Sequence, residues 1–115
     1  MKKSLKRYCI IDPIYNRHID LFIGNRDLFN KKLDALKYQE FHAEGIGRTI
    51  MDFDRGHSII WVANKDIPTL THEIYHYACM LFDRAKLPLT VESDEVMAYY
   101  LGMTMKNILN KIKLK

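Results

Sequence analysis

The spacing of apolar and polar positions changes along the chain, and each change marks an element. Tyr8-Cys9-Ile10-Ile11, closed by Asp12-Pro13, reads as a short strand, and His18-Ile19-Asp20-Leu21-Phe22-Ile23, ended by Gly24-Asn25, reads as a second. From residue 26 to about residue 40, Leu28, Phe29, Leu33 and Leu36 recur at helical intervals, with lysines and Asp34 on the other face, which predicts an amphipathic helix. Gly45 and Gly47 break that pattern. Residues 48–53 and 57–62 then flank Asp54-Arg55-Gly56, the signature of a hairpin. Asp66 followed by Ile67-Pro68 marks a helix start, because proline in the first turn leaves no hydrogen bond unmade; that helix should run to about Lys86. Residues 90–93 form the next connection, with Ser93 as the N-cap of a last helix that ends near Ile112 and carries Asp94 and Glu95 at its positive end. The order is β-β-α-β-β-α-α. It predicts an α+β domain whose small mixed, mostly antiparallel four-stranded sheet lies on one side of its helices.

A chain of 115 residues has room for one core, and 48% hydrophobic with 28% charged residues is ordinary for a globular domain. The longest apolar run, residues 58–63, has strand length and falls far short of the roughly 18 to 20 residues a membrane span needs. The basic start resembles a secretory n-region, but Asp12, Pro13 and Asn16 interrupt the apolar stretch that would have to follow, so an unprocessed cytoplasmic protein is expected. The net charge of +4 is misleading as a whole-chain figure. Lys2, Lys3, Lys6 and Arg7 at one end and Lys106, Lys111, Lys113 and Lys115 at the other supply eight positive charges, which leaves −4 for residues 8–105. Basic ends on an acidic body read as solvated tails, so nucleic-acid binding is not expected to be the main role. Cys9 and Cys79 form no CxxC pair and fit reduced thiols that serve packing.

The chemistry is concentrated in His72-Glu73-Ile74-Tyr75-His76, an HExxH sequence inside a predicted helix. Histidines at i and i+4 project from one helix face about 6 Å apart at the β-carbon, close enough for both imidazoles to bind one zinc ion, and the glutamate between them can reach a water on that ion. Leu70, Ile74, Ala78, Leu81 and Ala85 cluster on the opposite face, so the helix can pack on the sheet with one side and line a cleft with the other. A catalytic zinc takes three protein ligands and keeps one position open. Glu95, eighteen residues beyond His76 on the next helix, answers that need, with Glu92 and Asp94 as rivals. Glu95 shares its helix face with Ala98 and Gly102, small residues that would let the two helix axes approach.

HExxH, eighteen residues and a helix-borne Glu together resemble the gluzincin group of zinc metallopeptidases. Glu95-Val96-Met97-Ala98-Tyr99 is similar to the E-x-x-A segment of the minigluzincins and of small metallopeptidase-like proteins encoded by phages, with a weaker likeness to peptidases that act on phage regulators. The likeness covers roughly residues 57–102. It implies a zincin-like fold, zinc held by His72, His76 and Glu95, and Glu73 as the base that takes a proton from the zinc's water and returns it to the leaving amine. It also implies a peptide or protein substrate and, if the chain is phage-encoded, action in the host cytoplasm. Tyr99 is the first choice for a group that supports the metal ligands or the oxyanion, with Asp83 as another neighbour of the ligands. The strand of residues 57–62 would be the sheet edge that pairs with an extended peptide.

Only twenty residues follow Glu95 in this sequence, so a counterpart of the downstream subdomain that supplies an oxyanion donor in larger gluzincins is not expected. Two other readings therefore stand beside a working peptidase: a latent or non-catalytic zinc-binding domain acting through protein partners, and a basic-tailed nucleic-acid-associated protein. His18, His42 and His57 are expected to be exposed or structurally bonded. Met80, Met97, Met103 and Met105 are expected to fill the core, as are most of the tyrosines around the motif.

Overall fold

A computed structural model describes residues 3–12, 17–86 and 91–112, without the side chains of residues 91–93. The elements are β1 (Leu5–Asp12), β2 (Arg17–Gly24), α1 (Arg26–Ala35), a 3-10 turn (Gln39–Phe41), β3 (Gly47–Asp52), β4 (His57–Val62), α2 (Ile67–Arg84) and α3 (Val91–Ile112). Their order is the expected one, and the architecture is α+β with a four-stranded sheet and three helices.

The sheet is mixed and not wholly antiparallel. Its strand order is β1-β2-β4-β3, with β1–β2 and β3–β4 antiparallel but β2–β4 parallel. The parallel pair follows from the connection: the chain leaves β2 through α1, lays down β3 on the far side, and returns through the hairpin to insert β4 beside β2. A parallel pair cannot be closed by a tight turn and needs such a crossover.

Layering departs from the expectation of a sheet on one side of its helices. One face of the sheet packs on α1, where Phe22, Phe29, Leu33, Ile59 and Trp61 form a core; Trp61 stacks on Phe29 at 5.3 Å between ring centroids. The other face packs on α2 and α3 through Ile19, Leu21, Ile60, Ile74, Tyr77 and Ile108. Five of the six residues of β4 are buried, as befits a central strand covered on both faces. The strand of residues 57–62 is therefore not an edge. The edges are β1 and β3, and β3, with Gly47, Arg48 and Thr49, has the mixed composition that an edge tolerates.

Capping residues set the helix limits. The Asn25 side chain accepts from Leu28 N at 3.0 Å and Asp66 from Thr69 N at 3.1 Å, so α1 and α2 start where a side-chain oxygen satisfies a first-turn donor. α1 ends at Ala35, five residues short of the expected limit. Lys37 adopts the left-handed region at φ 69°, Tyr38 N bonds Leu33 O at 2.8 Å and Lys37 N bonds Asp34 O at 3.0 Å, the pair of bonds that closes a Schellman turn. The turn sends Tyr38 into the core. α3 begins at Val91, so Ser93 lies inside its first turn and is not the N-cap. No helix among the described residues is long and apolar enough to cross a membrane.

Candidate active site

The face of α2 that carries Leu70, Ile74, Ala78 and Leu81 is buried in the core, which leaves His72 and His76 exposed on the opposite side. Their rings meet edge to face with centroids 4.7 Å apart and Nε2 atoms 3.1 Å apart. Two zinc–nitrogen bonds of about 2.0–2.1 Å at the tetrahedral angle set their nitrogens about 3.3 Å apart. The imidazole pair thus already approximates one edge of a zinc coordination tetrahedron. Without a metal, the same separation lets one Nε2–H donate to the other ring.

Glu73 lies on the side of α2 that faces β3, and its side chain is only 8% exposed. Gly47 and Thr49 alternate along β3 on the face toward α2. The Thr49 hydroxyl donates to Glu73 Oε1 at 2.7 Å and also lies 3.0 Å from the Glu73 carbonyl. The other carboxyl oxygen, Oε2, is 4.0 Å from His72 Nε2. Gly47 is glycine for want of space: a β-carbon there would stand 2.7 Å from Glu73 Oε2. A carboxylate buried this deeply needs hydrogen-bond donors to remain ordered, and β3 supplies one while leaving room beside the second oxygen.

The groove between α2 and β3 consists of two adjoining hollows. One, of about 410 Å³, is lined by Ile46, Gly47, Pro68, Thr69, His72 and Glu73. The other, of about 320 Å³, is lined by residues 47–49, His72, Glu73, His76 and Met80. Both run beneath the outer edge of β3, which pairs with no other strand among the described residues.

The expected third ligand is not gathered here. Among the described residues no three His, Cys, Asp or Glu side chains are arranged to hold a metal ion, and Glu95 is exposed. The face of α3 that turns inward carries Met97, Tyr100, Thr104, Ile108 and Ile112, so Glu95, Ala98 and Gly102 look outward. The small residues therefore do not bring two helix axes together, and nothing lies within 4 Å of where a Gly102 β-carbon would be. Tyr99 is 74% exposed on the same outer side. Asp94 and Asp83 are exposed, and the Glu92 side chain and the link at residues 87–90 lie outside the described residues.

The chain matches no family model, no curated protein and no solved structure.

The remaining histidines are bonded as expected: His18 Nδ1 to the Cys9 thiol at 3.6 Å, His42 Nε2 to Asp34 at 2.5 Å, and His57 Nδ1 to the Tyr38 hydroxyl at 2.8 Å. Met97 is core and Met103 and Met105 pack against it, whereas Met80 is 37% exposed and lines the groove. Reading the sequence by element missed Gly47 and Thr49. Gly47 registers there only as a helix breaker, although the alternation Gly47, Thr49, Met51 on a strand is the signal that all three share a face.

Proposed function

We propose that this chain is a zinc-dependent peptidase that hydrolyses peptide bonds, with a zincin-like arrangement of edge strand and active-site helix. The observation that carries the reading is the convergence of the His72 and His76 Nε2 atoms beside a buried, hydrogen-bonded Glu73, in a groove under an unpaired strand edge. His72 and His76 would hold the metal, and Glu95, which the described side chains do not bring to them, is proposed as the third ligand on its sequence interval alone. A zinc ion in such a site supplies Lewis acidity toward a carbonyl oxygen and makes hydroxide accessible near neutral pH. Thr49 anchors one oxygen of Glu73, so the other is the one that takes a proton and returns it to the departing amine. The outer edge of β3 pairs with the backbone of an extended peptide and leaves the choice of side chains to the groove.

A second reading, zinc binding without catalysis and action through a protein partner, is favoured by the outward position of Glu95 and Tyr99. Two measurements decide. Elemental analysis of protein purified without chelators should find zinc in the wild type and less in His76→Ala and Glu95→Ala; a wild type without zinc removes both readings. Glu73→Gln should keep the metal and stop cleavage of an unfolded protein substrate. Equal background cleavage by wild type and Glu73→Gln would leave the binding domain and retire the peptidase.

A further inference from the structure

Four of the eight basic end residues, which look like solvated tails in the sequence, lie in ordered elements that meet. Lys6 and Arg7 belong to β1, Lys106 and Lys111 belong to α3, and α3 packs against β1. Arg7 is already neutralised by Asp20 at 2.6 Å, and Lys3 stands 3.9 Å from Asp27. Lys6 lies over the Tyr8 ring at 5.2 Å, and Lys6, Lys106 and Lys111 make no ion pair among the described residues. Lys111 thus lines the β1–α3 junction as a cation without an ion-pair partner among the described residues, and Lys6 and Lys106 lie on the same two elements.

That junction is a groove of about 590 Å³, larger than either hollow beside the histidines, lined by Cys9, Ile10 and Ile11 on β1 and by Asn107, Asn110 and Lys111 on α3. β1 is a terminal strand, so the backbone groups on its side away from β2 have no partner strand among the described residues. Ile11 is 56% exposed at its rim. A strand edge lying beside a helix offers a row of backbone donors and acceptors at the repeat of an extended polypeptide. Asn107 and Asn110 add side-chain amides, and the cations set the preferred sign of charge.

We propose that the β1–α3 groove binds an extended acidic peptide, which adds to the sheet beside β1 and places its carboxylates against Lys111 and Lys106. This surface is separate from the α2–β3 groove and does not depend on the metal. A backbone ladder selects a polypeptide; a nucleic-acid strand offers no matching row, and three cations are few for a phosphate track.

The test uses the full chain and a fluorescein-labelled peptide of alternating valine and glutamate, with alternating valine and lysine as the control. The acidic peptide should bind and the basic one should not. Lys111→Glu should weaken acidic-peptide binding about tenfold, and Lys106→Glu with Lys111→Glu should transfer preference to the basic peptide. Hydrogen exchange should slow at residues 9–11 on binding. Equal binding of both peptides, protection at β3 in place of β1, or displacement by duplex DNA with a salt slope that Lys111→Glu reduces would each overturn the proposal.

Discussion

At Gly47 a single missing methyl group decides whether Glu73 can sit where it does. A Gly47→Ala β-carbon would press on Oε2 at 2.7 Å, and the opposing atom is a short side chain with its other oxygen tied to Thr49. The carboxylate must therefore turn away from the groove. On the proposed peptidase reading, Gly47→Ala should lower peptide cleavage by about tenfold or more, since small misplacements of a proton-transfer group are costly, while any zinc content stays at the wild-type level because neither histidine moves. Unchanged cleavage with unchanged zinc would show that Glu73 is not the working base. Thr49→Val keeps the shape but removes the donor to Oε1, leaving a buried carboxylate oxygen short of a partner. It should cost about 1–3 kcal/mol in urea unfolding. The HExxH spacing made His72, Glu73 and His76 legible from sequence because their geometry is local to one helix. Gly47 and Thr49 were not, because their role exists only once β3 is laid against α2.

Elements become legible to the extent that their signals are local. Asp66 with Pro68, Asp54-Arg55-Gly56 and the apolar stripe of α2 each lie within a few residues, and the structure keeps all three. Partners in the sheet are chosen at long range: the edge position expected for residues 57–62 followed from the family resemblance, whereas the apolar run of β4 signals burial on both faces, which an edge strand does not have. The inward face of α3 was also misjudged. Tyr77 of α2 donates to the buried Asp12 carboxylate of β1 at 2.9 Å, Tyr100 of α3 donates to the same oxygen, and this three-element junction fixes the rotation of α3 with Tyr100 inward and Glu95 outward. Tyr77→Phe removes one donor from a carboxylate 3% exposed and should cost about 1–3 kcal/mol. Tyr77→Phe and Tyr100→Phe should be non-additive in a double-mutant cycle, since both act on one oxygen. Strict additivity in urea unfolding would show that the two hydroxyls do not share their load.

Across the whole molecule, Tyr38 on one face of the sheet and Tyr77 and Tyr100 on the other are held as neutral donors, and they shape how stability depends on pH. Burial, and after it the hydrogen bond to Asp52, pushes Tyr38 from the usual 10 up to about 12, while burial raises Tyr77 and Tyr100 as well. A group whose folded pKa is raised holds its proton more tightly in the fold than in the unfolded chain. Its contribution is fully present below about pH 10 and is lost as pH climbs through the folded value. Asp52 has the opposite sign: the Tyr38 hydroxyl holds its carboxyl below the usual 3.8, so its contribution is present above that value and is lost as the solution turns more acid. One hydroxyl therefore supports both limbs of the stability curve. Tyr38→Phe keeps the ring packed against Phe41 and His57 and removes only the O–H that joins Asp52 and His57. Its stability deficit should be largest on the neutral plateau and should shrink both above pH 10 and below the ordinary carboxylate range, as read from urea midpoints across pH. The remaining alkaline loss in Tyr38→Phe is shared by Tyr77 and Tyr100 on the opposite face of the sheet and by Tyr75, raised by its hydrogen bond with Cys79, and it should diminish further when Tyr77→Phe is added. A deficit that stays constant at every pH would mean that Tyr38 acts through packing alone and that the Asp52–Tyr38–His57 chain does not couple α1 to the β3–β4 hairpin through its protons.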